Sequence, residues 1–230
     1  MKYSSKVIKG KILKRYKRFL SDIEIDNEVI CAHVPNTGSM KTCWEPGWDA
    51  YLTYHDDPKR KLKYTLELLH NGESFININT SATNKIVKEA LENNVIKELP
   101  HYSFIKPECK ILDSRLDFYL SDENSETYLE VKNVTLKGDN GTALFPDSVS
   151  TRGQKHLRDL IKIKEMGKNA VMLYVVNRSD VEKFSPAESI DPEYAKLLKE
   201  ASSKGVLILA YQTLLNTEET TLSHFLPVIL

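Results

Sequence analysis

The sequence predicts an α+β chain of two units: a small β-barrel over residues 1–80, then an α/β domain over residues 81–230 whose mixed sheet is flanked by helices. Three observations predict it. Strand-like runs with no convincing helix fill the first unit. After Thr80 helical and strand periodicities alternate. The charge is also divided along the chain. Residues 1–64 hold 13 Lys+Arg and 8 Asp+Glu and residues 65–230 hold 19 and 24, although the 230-residue chain is formally neutral. An apolar fraction of 41% beside 28% charged residues is enough for a core and excludes disorder, collagen and coiled coil.

In the first unit, Ile12 to Ile25 is a long, partly alternating run, followed by Val29 to His33, Asp49 to Tyr54 and Tyr64 to Leu69. Asn71-Gly72 is a hairpin signal, since both residues tolerate positive φ, and it leads into Phe75 to Asn79. Pro35 to Gly38 and Pro46-Gly47 read as loops. About five strands in so short a stretch suggest an OB-fold, a barrel that holds single strands or oligosaccharides. In the second unit Ser81 is the expected cap of a helix with Ile86, Val87, Ala90 and Leu91 on one face. Leu112 to Leu120 and Tyr128 to Leu136 read as strands, Thr151 to Met166 as a helix with Leu157, Leu160 and Ile161 inward, and Ala170 to Val176 as a strand. A helix from Tyr194 to Ala201 stops near Gly205, before a strand from Val206 to Tyr211.

No apolar run approaches the roughly 20 residues of a membrane span. Met1 to Leu20 lacks the apolar stretch of a secretory signal. Cys31, Cys43 and Cys109 have no C-x-x-C spacing, which argues against a disulfide framework or a zinc knuckle. The expected setting is therefore the cytoplasm, without a membrane partner. No phosphate-binding loop or dinucleotide fingerprint is present. Gly38-Ser39 lacks the frame of a nucleophile elbow and reads as a turn whose backbone N–H groups can meet a phosphate. Trp44 and Trp48 read as packing anchors, and of the six scattered histidines only His156 lies in a polar helix worth watching.

Two features point to chemistry. The first 20 residues carry eight basic and no acidic residues, with Lys14, Arg15, Lys17 and Arg18 interleaved with Tyr16 and Phe19. Cations meet phosphates and rings stack on bases, so DNA is the expected partner, and Arg60 and Lys61 extend the set. The second is a hairpin. A link turning at Glu123 and Asn124 opposes residue i to residue 247−i, placing Asp117 across from Glu130, with Cβ atoms about 5 Å apart. Facing carboxylates repel unless a cation lies between them. Mg²⁺ or Mn²⁺ held by Asp117, Glu130 and the Val131 carbonyl would satisfy them, and Lys132 on the Glu130 face would position a water and offset charge. A salt-bridged solvent face with Arg115 is the competing reading. In the following helix, Arg152, Gln154, Lys155 and Arg158 are candidate phosphate contacts.

Asp, then Glu-x-Lys on the adjacent strand with a Gln or Lys in the next helix, is the pattern of the PD-(D/E)xK nuclease-like fold; Glu89 is the candidate acid on the preceding helix. Arg15 to Leu20, His33 to Met40, Arg60 to Thr65, Ser114 to Phe118, Glu130 to Leu136, Phe145 to Asp147 and Thr151 to Leu157 together resemble the sugar fermentation stimulation protein family. The resemblance implies an OB-fold, a nuclease-like domain, DNA binding and a regulatory link to sugar, especially maltose, utilisation. Its nuclease-like motif falls on Asp117, Glu130 and Lys132, with Gln154 and Glu89.

The expected function is a DNA-binding protein, on single or double strands, with a metal-dependent phosphodiesterase site. A non-enzymatic DNA-binding regulator and a carbohydrate-binding module are the alternatives, and self-association is left open.

Overall fold

The computed structural model describes all 230 residues. The first sheet is built from β1 (Val7–Tyr16), β2 (Leu20–Ile25), β3 (Glu28–His33), β4 (Asp49–Tyr54), β5 (Tyr64–His70) and β6 (Phe75–Asn77), ordered β3-β2-β1-β4-β5-β6. A parallel contact of Ala32 with Tyr64 and His33 with Thr65 joins β3 to β5 and closes five strands into an OB-like barrel. Alternation drives this closure. Ile12, Ile23, Ala50, Leu52, Leu66 and Leu69 point inward and are fully buried, while Trp44 and Trp48 pack against them as anchors. Gly10 marks a close approach of β1 to β2, because a Cβ there would lie 2.5 Å from the Glu24 carbonyl oxygen.

The expected run from Ile12 to Ile25 is two strands rather than one. Lys17 and Arg18 adopt φ of 49° and 66°, so the chain reverses without a glycine to announce it.

A 3₁₀ turn (Thr80–Ala82) leads into α1 (Thr83–Glu92). Ser81 does not cap the helix. Asn79 caps the turn by accepting from the Ser81 N–H, and Ala82, which has no capping side chain, stands at the start of α1. Then come β7 (Phe104–Ile111), β8 (Ser114–Ser121), β9 (Glu126–Val134), β10 (Leu136–Lys137), β11 (Thr142–Phe145), α2 (Thr151–Glu165), β12 (Asn169–Val176), β13 (Lys183–Pro186), α3 (Pro192–Ser203), β14 (Leu207–Leu215) and β15 (Thr220–Phe225). The main sheet runs β15-β14-β12-β9-β8-β7, with β12 parallel to both β9 and β14 and the outer pairs antiparallel. It is therefore mixed, and β10-β11-β13 form a small second sheet.

Central β12 explains the layering. Val171, Leu173 and Val175 face the α1 cluster, whereas Ala170, Met172, Tyr174 and Val176 face α2 and α3. A strand buried on both faces reads as continuous apolar sequence.

The halves are clamped by a buried arginine. Arg178 pairs with Asp180 through Nε (2.7 Å) and also donates to the Thr135 carbonyl (2.6 Å) and to Thr42 of the barrel side (Oγ1, 3.1 Å). The first residues lie on the second unit, where the Lys2 backbone forms an isolated antiparallel β-bridge with that of Glu219 and Tyr3 Oη lies 2.8 Å from Thr220 Oγ1. The three cysteines are free, and no helix is long and apolar enough to cross a membrane.

Candidate metal and phosphate site

The β8–β9 hairpin follows the expected register. Asp122 Oδ1 accepts from the Asn124 and Ser125 N–H groups and fixes the turn. Phe118 then pairs with Leu129 and Tyr119 with Tyr128, each pair summing to 247. The pairing stops at Phe118. Asp117, next in line, turns its carboxylate into the vacated ladder, with Oδ2 accepting from the Val131 N–H at 2.8 Å and Oδ1 from Asn84 Nδ2 at 2.8 Å. Facing breaks at the same point. Leu116 joins the cluster under α2, while Phe118 and Leu120 join the one under α1, so the alternation along β8 breaks at Asp117.

Glu130 is buried between β8 and β12, under α2. Its Oε1 accepts from Lys132 Nζ at 2.5 Å and also meets His156 Nδ1; Lys132 Nζ lies 3.2 Å from that same nitrogen. Its Oε2 is buried without a hydrogen-bond partner. Burial raises the Asp117 carboxyl above its ordinary value, and the Glu130 charge raises it further despite the Val131 and Asn84 donors. Burial pushes Glu130 in the same direction, but His156 and Lys132 outweigh it and hold Glu130 below its ordinary value. The two acids are thus close enough to repel, and one oxygen of the pair is unsatisfied. The competing reading of a solvent-facing ion-pair row fails here, since Glu130 is 3% exposed while Arg115 pairs outside with Glu108.

This donor set fits a hard divalent cation. Carboxylate oxygens suit Mg²⁺, Mn²⁺ or Ca²⁺, and each Asp117 oxygen retains a lone pair beyond its one hydrogen bond. It is not a full protein cage, because no three His, Cys, Asp or Glu side chains converge. A small cation that keeps waters and takes substrate oxygens is satisfied by such a partial set.

The other predicted residues fall elsewhere. Gln154 Nε2 donates to Asp191 (Oδ1 2.9 Å), which caps α3 through the Tyr194 N–H (3.0 Å). Glu89 sits farther along α1, half-exposed, 2.7 Å from the Met1 amine, whereas Asn84 in the first turn reaches Asp117. Lys155 Nζ donates to the Asp113 carbonyl (2.7 Å) and Ser114 Oγ (2.6 Å), and Arg158 pairs with Glu193 (2.7 Å). Arg152 is exposed.

On the barrel, Arg15 donates to the carbonyls of Arg18 (2.6 Å), Asn36 (2.9 Å) and Gly38 (3.0 Å), tying a loop rather than facing a strand. Lys14 pairs with Asp22 (3.1 Å), and Tyr16 Oη donates to that same carboxylate (2.8 Å). Lys17, Arg18 and Lys61 are exposed, and Arg60 donates to Thr65 Oγ1 (2.9 Å). The Gly38-Ser39 turn is also engaged, with the Ser39 N–H donating to Asp147 Oδ2 (2.8 Å) and the Gly38 N–H to Asn36 Oδ1 (2.9 Å).

Asn84 and His156 are the residues that sequence reading missed or left without a role. His156 falls at the i−4 position from Leu160, on the inward face of α2, and that spacing was the available signal.

Fold and site together define a class: an OB-type barrel followed by a mixed-sheet domain whose central hairpin carries Asp, then Glu-x-Lys. The family profiles described as "SfsA N-terminal OB domain" and "Sugar fermentation stimulation protein RE domain" match residues 13–78 and 81–219. A sugar fermentation stimulation protein homolog of Geotalea daltonii is 48% identical over 226 residues, covering 97% of each chain. One from Syntrophotalea carbinolica is 44% identical over 229 residues, covering 99% of each. A solved structure described as Pyrococcus furiosus SfsA in complex with Ca²⁺ superposes with a TM-score of 0.87 at 30% identity, over 100% of this chain and 98% of that one. The chain belongs to the sugar fermentation stimulation protein family.

Proposed function

We propose that this chain is a divalent-cation-dependent phosphodiesterase acting on DNA. The observation that carries the reading is the Glu130 carboxylate: one oxygen meets Lys132 and His156, the other is buried and unpartnered, and its charge is felt by Asp117. Asp117, Glu130 and the Val131 carbonyl would hold Mg²⁺ or Mn²⁺. The Ca²⁺ named for the Pyrococcus furiosus relative, a hard cation of the same ligand class, supports that choice. When bound, the cation supplies Lewis-acid polarisation of a phosphate and a more acidic water.

The chain's own residues do the rest. Lys132 holds a positive charge where negative charge develops on the phosphate. His156 and Glu130 fix the direction of that ammonium. Asn84 and the Val131 N–H fix Asp117. Lys17, Arg18, Lys61 and Arg152 are the exposed cations that meet the backbone. The test is cleavage of plasmid and of single-stranded oligonucleotides with Mg²⁺ or Mn²⁺, beside chelator controls. Cleavage by the wild type that is lost in Glu130→Ala and Lys132→Ala is the expected result, and a Lys132→Ala variant as active as wild type overturns the assignment.

A second reading, a non-enzymatic DNA-binding regulator of sugar-utilisation genes, is favoured by one observation: Lys132 is paired to Glu130 and no third ligand side chain converges. It predicts salt-sensitive DNA binding with no cleavage under any metal.

A further inference from the structure

A cavity of about 360 Å³ opens where the barrel meets α1. Distant stretches of chain build it: His33 and Thr65 at the β3–β5 closure, His55 and Arg60 from the β4–β5 connection, Glu67 from β5, Lys85 from α1, and Lys2. Its charge is unbalanced, with three basic side chains (Lys2, Arg60, Lys85) lining it against one acid, Glu67. Arg60 makes its side-chain hydrogen bond to Thr65 Oγ1 rather than to a carboxylate, and Lys2 and Lys85 stand outside any ion pair. A concave wall with such an excess attracts an anion.

Exposure is graded. Lys2 and Lys85 are exposed, His33, His55 and Arg60 are half-buried, and Glu67 is buried. Both histidines are held below the ordinary histidine value, first by burial and then by the Arg60 charge. Near neutral pH both rings are therefore neutral: His33 offers one N–H and one lone pair, and His55, whose Nε2–H is taken by Thr53 Oγ1 because that hydroxyl donates to Glu67, offers the lone pair of Nδ1. Glu67 is fixed by Thr53 Oγ1 on Oε1 (2.7 Å) and Asn79 Nδ2 on Oε2 (2.8 Å), and Thr53 Oγ1 in turn lies 3.0 Å from His55 Nε2. Carboxylate oxygens with one bond each still accept hydroxyl donors.

Cations outside, with neutral imidazoles and a carboxylate inside, call for a ligand with an anionic end and a hydroxyl-bearing end. We propose that this cavity binds a small phosphate monoester bearing free hydroxyls, of sugar-phosphate or mononucleotide size, with its phosphate on Lys2, Arg60 and Lys85 and its hydroxyls on His33, His55 and Glu67. The volume lies at the small end of ligand pockets, which span about 300–1,000 Å³. A DNA backbone fits less well, because its internal nucleotides carry no free hydroxyl to offer Glu67. The proposal does not depend on the phosphodiesterase reading, since none of these residues belongs to the Asp117–Glu130 cluster.

The test is calorimetric titration of the full chain with ribose 5-phosphate and adenosine 5′-monophosphate, beside ribose, inorganic phosphate and a short DNA duplex. At least one phosphorylated probe binds saturably and more tightly than phosphate or ribose alone. Arg60→Ala and Lys85→Glu each weaken that binding about tenfold or more, the loss expected for a charge-assisted hydrogen bond. Lys85 is an exposed helical residue without an ion pair, so its replacement leaves the fold intact and keeps the test decisive. Failure of both phosphorylated probes to saturate, equal binding of phosphate alone, or binding indifferent to Lys85→Glu overturns the proposal. So does a duplex whose binding falls with Lys85→Glu while neither small probe binds, which would assign the cavity to DNA.

Discussion

The Val131 N–H donates to Asp117 Oδ2 at 2.8 Å, so an acidic side chain occupies the place where the β8–β9 ladder gives out. The proposed cation role of Asp117 can therefore be separated from this structural one by experiment. Asp117→Ala strips an acceptor from Val131 and from Asn84, and the loss in urea unfolding is about 1–3 kcal/mol. Relief from burying the charged carboxylate, and with it the repulsion from Glu130, offsets part of that loss at pH 7. Because the folded-state Asp117 carboxyl is raised above its ordinary 3.8, the wild type recovers that part as pH falls through the raised value. The stability gap between wild type and variant thus widens on acidification and is complete below about pH 3.8. Mn²⁺ binding, followed by calorimetry, is lost at every pH. A gap that narrows on acidification contradicts the raised Asp117 carboxyl.

Gln154 and Glu89 separate sequence pattern from geometry. Gln154 serves the start of α3 through Asp191, so Gln154→Ala costs about 1 kcal/mol in unfolding and leaves Mn²⁺ affinity unchanged. Glu89→Ala changes neither quantity beyond about 0.5 kcal/mol, as expected of a half-exposed surface pair. Reduced Mn²⁺ affinity in Gln154→Ala at unchanged stability would return Gln154 to the cation site.

What the sequence disclosed and what it hid follow from the reach of each interaction. The hairpin register was legible because the turn is local: Asp122, Asn124 and Ser125 set it within four residues. The barrel and the central strands were legible because burial leaves alternating or continuous apolar runs. Strand β7 was not, because it is an edge strand whose residues from Phe104 to Ile111 are exposed or half-buried, with Pro107 and three charges in place of a pattern. The basic residues misled for a different reason. Sequence shows that Arg15, Lys155 and Arg158 are cationic, but their partners lie 3 to 42 residues away: the Arg18, Asn36 and Gly38 carbonyls, Asp113 and Ser114, and Glu193. Asn84 was hidden likewise, since its partner Asp117 is 33 residues on.

Arg178 makes the junction of the two halves sensitive to acid. Its guanidinium and Lys137 hold Asp180 well below the ordinary 3.8, overcoming a burial effect that alone would raise it. A depressed carboxylate contributes stability that is whole above its ordinary value and is lost as pH falls below it. Asp180→Asn leaves a buried arginine without its counter-charge, at a cost of about 3 kcal/mol near neutrality. Urea midpoints near neutrality and at about pH 5 show the same wild-type advantage, and the advantage shrinks at about pH 3 and below. An advantage independent of pH would show that Asp180 acts through shape alone.

Lys17 and Arg18 are the barrel cations best placed to meet a phosphate backbone. They sit at the tip of the β1–β2 turn, exposed and outside any ion pair, whereas Arg15 is tied to loop carbonyls and Lys14, also exposed, is paired with Asp22. Each phosphate contact on duplex DNA steepens the dependence of log K on log salt by about 0.9. The Lys17→Gln, Arg18→Gln pair therefore flattens that slope by about 2, measured by fluorescence anisotropy between about 50 and 200 mM salt. Lys155→Ala behaves oppositely, because its ammonium is tied to the Asp113 carbonyl and Ser114 Oγ: unfolding becomes easier and the salt slope stays as in wild type. A double variant with the wild-type slope would remove the β1–β2 turn from the DNA interface and shift the search to Lys61 and Arg152.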